Sequence, residues 1–444
     1  MKKLVSLLCV LFVLTLTTYA KTEKGDFAGI IRESGISRDS ITVSIKDTKN
    51  GKTVYSLNDK IMMNPASVQK VLTMTAAEQT LGSDYKFSTE LYARGNDSYL
   101  LKLSGDPYLR YNDLKAITKR IDRATAKNVF IDDSILDSEF WGEGWQWDDD
   151  MNVRMQKFGA YNLDRNLIKL TITPSESGQF AQISNPSKYP LVFMNNVTTS
   201  NVTSLDVKRN SMMSDNTIIL NGTVARQTIV NIPSNNIKRY FEIRLTNALG
   251  ENKIYLKNPF VAAMKTSSDT LLESIEHDLF GALNDILKNS NNMAAETVFK
   301  LAGGKYKGTA GSAKGGVEMF NNFCKTKNLD SSAIKITDGS GVSKNNLATS
   351  DFISEFLYVN KDSLVMNYLP KPGEGTLNQR LLPIRESLKA KTGTLDGTSS
   401  IAGYITTKKG NNYAFCIMQN DVKLSASDKK MLEDYIIREI YLKL

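Results

Sequence analysis

Hydrophobic and polar positions change period several times along the 444-residue chain. Residues 41–46 and 53–57 alternate and predict two strands. A long run of mostly small and apolar residues follows from 71 to 81, the length and character of a buried helix. Between 86 and 260 the pattern becomes one of apolar, often β-branched runs. Those at 99–103, 128–131, 167–172, 202–207, 217–220, 228–232 and 241–245 read as strands. Helical periodicity returns over 270–288 and 293–301. The end reads as strand 400–406, turn Lys408-Lys409-Gly410-Asn411, strand 413–419 and helix 429–442. This order predicts an α/β (α+β) domain interrupted by a mainly β insertion, with no internal repeat or low-complexity tract.

The first twenty residues have the composition of a secretory signal. Lys2 and Lys3 precede a mostly apolar stretch at 4–16, and Thr18-Tyr19-Ala20 offers small residues for cleavage. The apolar run is shorter than the ~20 residues of a membrane span. Cys9 lacks the small residues that a lipoprotein signal places before its cysteine. No later segment is apolar enough to span a bilayer, so the mature chain is expected without a transmembrane anchor, periplasmic or envelope-associated.

Removing the signal takes two lysines from a formal net charge of +9 and leaves +7. This modest basic excess suits an anionic wall polymer, and equally suits ordinary solubility. No basic tract is interleaved with aromatics, so no nucleic-acid partner is expected. Cys324 and Cys416 are the mature cysteines, too few for a disulfide-built fold, and Cys416 reads as a buried hydrophobe in the run 413–418. With one histidine, His277, neither a zinc site nor a Ser-His-Asp triad has much to build on. No metal or cofactor is expected. A mature chain of about 420 residues exceeds a single core, so two or three domains are expected.

Candidate chemistry begins at Ser67-Val68-Gln69-Lys70. A spacing of i, i+3 puts both side chains on one helical face. A serine hydroxyl attacks only when a base takes its proton, and a desolvated lysine can be that base. Ser-x-x-Lys also starts at Ser83, Ser332 and Ser427. Ser83 and Ser427 lie in polar, charged surroundings, and Ser332 precedes a strand-like Ile334 and Ile336. Only Ser67 opens a long apolar run, where free backbone N–H groups at a helix start suit an oxyanion. The same stretch also reads as an ordinary helix N-terminus.

Lys391-Thr392-Gly393-Thr394 occurs once, before the apolar strand at 401–405. A cation and hydroxyls can hold a carboxylate there, and the glycine lets a substrate backbone approach. Ser67-x-x-Lys70 followed by Lys391-Thr392-Gly393 is the signature of penicillin-binding proteins and serine β-lactamases. Such enzymes also need a Ser-x-Asn between the two. Ser214-Asp215-Asn216, Ser343-Lys344-Asn345 and Ser290-Asn291-Asn292 all qualify by spelling, the last at a helix start where Ser and Asn also serve as caps.

The chain resembles the D-alanyl-D-alanine carboxypeptidase/endopeptidases of the class C, low-molecular-mass penicillin-binding proteins over nearly all its mature length. Supporting stretches are Ser104-Gly105-Asp106-Pro107-Tyr108-Leu109, Ile131-Asp132-Asp133-Ser134, Gly144-Trp145-Gln146-Trp147-Asp148-Asp149, Asp338-Gly339-Ser340-Gly341-Val342-Ser343 and Glu374-Gly375-Thr376-Leu377. The family's second motif lies in a segment like 288–296, which selects Ser290 and Asn292. Asn291 stands where Asp is common. The resemblance implies a penicillin-binding/serine β-lactamase-like transpeptidase domain, an antiparallel sheet flanked by helices. That domain would comprise 21–85 and 266–444, following a signal peptide at 1–20. An inserted domain would span 86–165 and 241–265, and a nested β-rich domain 166–240.

The implied activity is a serine-type D-Ala-D-Ala carboxypeptidase, and possibly endopeptidase, acting on peptidoglycan stem peptides and acylated by β-lactam antibiotics. Ser67 would be the nucleophile, Lys70 the base, Ser290 a proton relay and Asn292 a substrate holder. Lys391, Thr392 and Thr394 would bind the terminal carboxylate beside Gly393. The N–H groups of Ser67 and Thr394 would form the oxyanion hole, and Asp149 would hold the amine end of a diaminopimelate-type side chain. Asp149 reads as well as a turn aspartate beside core tryptophans. The rival readings are a serine β-lactamase and a non-catalytic wall-binding protein of the same fold.

Overall fold

The computed structural model describes residues 26–210, 216–258 and 260–444. The signal-peptide reading at 1–20, and Ser214 with Asp215, lie outside them. The chain divides into two compact units.

The first unit comprises residues up to Val68, Leu347–Asp362 and Leu369–Leu444. Its centre is a five-stranded antiparallel sheet in the order Leu388–Leu395, Thr398–Thr406, Asn412–Asn420, Ile41–Asp47, Thr53–Leu57. The strand Ile41–Asp47 explains how both faces are covered. Ile41, Val43 and Ile45 point into a core shared with Phe27 and Ile31 of the helix Phe27–Glu33, and with Leu432, Ile436 and Ile440 of the helix Ala426–Lys443. The alternate residues face the helix Ser350–Val359 on the other side. Ser44 and Ser354 share a buried hydroxyl bond of 2.7 Å, and Lys46 pairs with Asp351 at 2.9 Å. Period-two alternation thus gives this strand one apolar and one polar face.

The second unit comprises Gln69–Asn346 and Ser363–Tyr368. A mixed five-stranded sheet runs Val261–Ala262, Asn128–Asp132, Ser98–Lys102, Lys86–Arg94, Thr270–Asp278. Two three-stranded sheets follow, one of Val192–Thr199, Thr217–Val224 and Ser204–Arg209, the other of Thr228–Pro233, Leu167–Thr173 and Gln182–Ser184. The helix Gln69–Leu81 packs against the helix Asn292–Lys307, which in turn crosses Ala313–Thr326.

Two sequence expectations give way. Residues 241–245 are not a strand but the middle of the helix Ile237–Glu251. Asn236 caps it by accepting from the Arg239 N–H, and Ile237, Tyr240, Phe241, Leu245, Ala248 and Leu249 are buried at helical spacing. Conversely, residues 270–278 are a strand, not a helix. Thr270–Asp278 pairs antiparallel with Lys86–Arg94, His277 opposite Phe87. Helix begins only at Leu279, behind the Asp278 cap. Cys324 and Cys416 are both buried free thiols.

The helix Asn292–Lys307 is seated by glycine. A Cβ on Gly303 would lie 2.2 Å from the backbone nitrogen of Gly316, so the two helices meet backbone to backbone. Gly303→Ala is expected to force them apart and cost about 1–3 kcal/mol. A urea unfolding curve unchanged from wild type would show that the crossing is looser than described.

Candidate active site

In the first unit the chain enters the Ser67 motif through a strained turn. Ala66 is fully buried with a left-handed φ of 46°, inside the 3-10 turn Ala66–Val68. Such a backbone persists in a non-glycine residue only when its surroundings enforce it. Here the Ala66 N–H donates to Asn64 Oδ1 at 2.8 Å, and the Pro65 carbonyl accepts from Ser400 Oγ at 2.6 Å. From Met63 to Glu78, Ser67 is the one residue that is not buried. The turn runs straight into the helix Gln69–Leu81.

The same unit brings the Lys391 motif to that turn. Lys391, Thr392, Gly393 and Thr394 lie on the strand Leu388–Leu395. A Cβ on Gly393 would sit 2.9 Å from both the Ser67 nitrogen and the Pro65 oxygen, and 2.3 Å from Ser400 Oγ. Only glycine lets the strand come this close. Lys391 is fully buried and donates to the Thr392 carbonyl at 2.6 Å. Thr392 Oγ1 donates to Thr376 Oγ1 at 2.7 Å, and Thr394 is exposed.

In the second unit, Lys70 is completely buried at the start of its helix. Its Nζ donates to Asn292 Oδ1 and to the Ser340 carbonyl, each at 2.6 Å. Both acceptors are neutral. Burial drives the amine down from 10.5 to about 7, although the Asp338 and Glu296 carboxylates attract its proton. A lysine near 7 is substantially deprotonated at neutral pH and can act as a base.

The frame around Lys70 was only partly visible in the sequence. Asp338 pins the tight turn that presents the Ser340 carbonyl. Its Oδ1 accepts from the Gly341 N–H and Asn346 Nδ2, at 2.7 and 2.8 Å. Its Oδ2 accepts from the Ser343 N–H and from Trp145 Nε1, at 2.7 and 2.8 Å. Glu296 receives the N–H groups of Gly339 and Ser340, at 3.0 and 2.7 Å. Burial, and then the Asp338 charge, push Glu296 up from the usual carboxylate value. A glutamate inside the apolar helix run Ala294-Ala295-Glu296-Thr297-Val298 was the available signal, since unpartnered charges are rarely buried.

Ser290 and Asn292 flank the cap of the helix Asn292–Lys307. The cap is Asn291, whose Oδ1 accepts from the Ala294 N–H at 3.1 Å. Ser290 therefore does not cap the helix, and holds a left-handed φ of 61°. Asn292 also donates to the Arg154 carbonyl at 2.9 Å. Asn291 Nδ2 donates to Asp285 Oδ2 at 2.7 Å, which gives the amide at this position a reason. Burial works against the Asp285 charge, yet Asn291, Asn289, Arg165 and Tyr108 hold it below its usual value.

Asp149 is half-buried in the 3-10 turn Trp147–Asp149, its carbonyl accepting from the Asn152 N–H at 2.9 Å. Ser343, of the second candidate motif, is fully buried, and its N–H serves Asp338. Asn216 stands at the edge of the strand Thr217–Val224. His277 Nδ1 lies 2.5 Å from Asp106 Oδ2, a bond that raises the imidazole above its ordinary value and suits an ion pair better than a base. Among the described residues no group of three or more His, Cys, Asp or Glu could hold a metal ion, and no helix is long and apolar enough to cross a membrane.

Comparison with known proteins decides the family, because the D-Ala-D-Ala carboxypeptidase 3 (S13) profile matches residues 24–438. The chain belongs to that family. It is accordingly an enzyme, a D-Ala-D-Ala carboxypeptidase and penicillin-binding protein by class. It is 26% identical to a D-alanyl-D-alanine carboxypeptidase of Actinomadura sp. (strain R39), with 89% of this chain and 80% of that protein covered. It is 24% identical to the carboxypeptidase DacB of Haemophilus influenzae, with 90% and 88% covered. The crystal structure of penicillin binding protein 4 from H. influenzae superposes with a TM-score of 0.82 at 23% identity, covering 94% of this chain and all of the other. That likeness makes the fold the penicillin-binding, β-lactamase-like one.

Asn291→Asp should set a second carboxylate against Asp285 and destabilise the protein by about 1–2 kcal/mol. Adding Asp285→Asn should recover most of it. Equal melting temperatures for wild type and Asn291→Asp would refute this account of the amide.

Proposed function

We propose that Ser67 is the acylated nucleophile and that the unprotonated amine of Lys70 is its base. The observation that carries this reading is the burial of Lys70 among neutral acceptors, which leaves its amine near 7. Lys70 takes the Ser67 proton as Oγ attacks the carbonyl between two D-alanines. A C–O bond forms and the C–N bond breaks. Ser290 relays the proton to the leaving D-alanine amine, and water then hydrolyses the ester.

The N–H groups of Ser67 and Thr394 stabilise the oxyanion, at roughly 3 kcal/mol per donor in comparable sites. The close approach of Gly393 to the Ser67 nitrogen supports this pairing. Lys391, Thr392 and Thr394 receive the terminal carboxylate. Asn292 holds the substrate amide and fixes Lys70, and Asp149 takes the amine end of the third residue. Peptidoglycan stem peptides are the substrates, β-lactams acylate Ser67, and endopeptidase cleavage of cross-links draws on the same centre.

The composition of residues 1–20 supports export to the cell envelope. The catalytic domain in this reading comprises 21–85 and 266–444, with 86–165 and 241–265 inserted and 166–240 nested within.

A fluorescent penicillin should label the wild type, with a mass increase on the peptide containing Ser67. Ser67→Ala should not label. Equal labelling of both would refute the assignment.

A further inference from the structure

A cavity of about 300 Å³ in the second unit has Ser290, Asn291 and Asn292 in its wall, together with Arg154 and Arg165. Two cations are thus placed beside the second motif. Neither has a part in the reaction described above.

Each arginine is held there by identifiable contacts. The Arg154 carbonyl accepts from Asn292 Nδ2 at 2.9 Å, so its backbone position is tied to a motif residue. Its side chain is exposed. Arg165 sits in the middle of three consecutive left-handed residues, Asp164, Arg165 and Asn166, with φ of 49°, 58° and 55°. Each such residue costs on the order of 1 kcal/mol outside glycine, so the turn must be enforced. Asn166, fully buried, enforces it: its Oδ1 accepts from the Leu163 N–H and its Nδ2 donates to the Lys157 carbonyl, at 2.9 and 2.8 Å.

Negative charge in the neighbourhood is already engaged. Asp285 meets Arg165 Nη2 at 3.0 Å, but it also receives Asn291, Asn289 and the Tyr108 hydroxyl. Arg165 Nε is buried without a hydrogen-bond partner. A second cavity, of about 450 Å³, shares Arg165, Leu167 and Asn231 and adds to its walls Arg110, Lys169, Arg244 and one acid, Asp164, which pairs with Arg244 at 3.5 Å. The region beside Ser290 is therefore basic beyond what its own ion pairs require, and guanidinium groups match carboxylates in geometry as well as charge.

We propose that Arg154 and Arg165 form a carboxylate subsite beside Ser290, which takes a carboxylate of the substrate peptide on the N-terminal side of the scissile bond. The subsite rests on the reading of Ser290 and Asn292 as substrate-facing. Stem peptides offer this chemistry from two sources: the α-carboxylate of a γ-linked second residue, and a side-chain carboxylate on the third.

Two pairs of synthetic pentapeptides ending in D-Ala-D-Ala separate them, one member of each pair having the relevant carboxylate amidated. D-alanine release is measured for the full mature protein. Wild type should favour the free carboxylate in one pair by about tenfold in kcat/KM, carried mainly by KM. Arg154→Gln should abolish that preference by lowering only the carboxylate peptide. Arg154→Lys should restore part of it, which a merely structural role would not do. The exposed side chain makes both variants compatible with folding, and circular dichroism checks this. Equal rates within both pairs for wild type, or an undiminished preference in Arg154→Gln, overturn the subsite. No release from any peptide by wild type overturns the carboxypeptidase reading, and the subsite with it.

Discussion

The proposed chemistry depends on a lysine kept away from water. Lys70 is wholly buried, and its amine is satisfied by an amide oxygen and a backbone carbonyl, neither of them charged. A direct carboxylate pair would stabilise the ammonium form and remove the proposed base. Instead Asp338 and Glu296 act at one remove, spending their hydrogen bonds on the backbone turn that presents the Ser340 carbonyl. Desolvation outweighs their attraction. The acids thus build the cradle while the amine stays near neutrality.

Each unit stores backbone strain at its motif. In the first, Ala66 is left-handed one residue before Ser67 and is locked by Asn64, with Ser400 on the adjoining carbonyl. In the second, Ser290 is left-handed one residue before the cap. Shifting the cap to Asn291 frees Ser290 from a duty its sequence position would have given it. In both cases neighbouring hydrogen bonds hold a conformation the residue would not choose alone.

How much of this was legible in the sequence follows the range of the interactions involved. Strong local patterns, such as the strand Ile41–Asp47 and the helix Ala426–Lys443, could be read directly. Residues 241–245 misled because a five-residue apolar window cannot separate a strand from the buried stripe of the longer helix Ile237–Glu251. Residues 270–278 misled because their pairing partner, Lys86–Arg94, is remote in sequence. Ser67 with Lys70, and Lys391 with Gly393, were legible as motifs. Ser290 was separable from Ser214 and Ser343 only through the family resemblance. The roles of Glu296 and Asp338 depend on backbone N–H groups brought in by a turn, which no spacing rule reveals.

The central claim is that Lys70 is neutral when Ser67 is acylated. It is tested most directly by the pH dependence of the second-order rate constant for acylation by a penicillin that does not itself ionise between pH 5.5 and 9. The account predicts a rise with pH through a single midpoint near the Lys70 value of about 7, with a roughly tenfold difference between pH 6 and pH 8. A rate that is flat across this range, or that climbs only above pH 9, would contradict it.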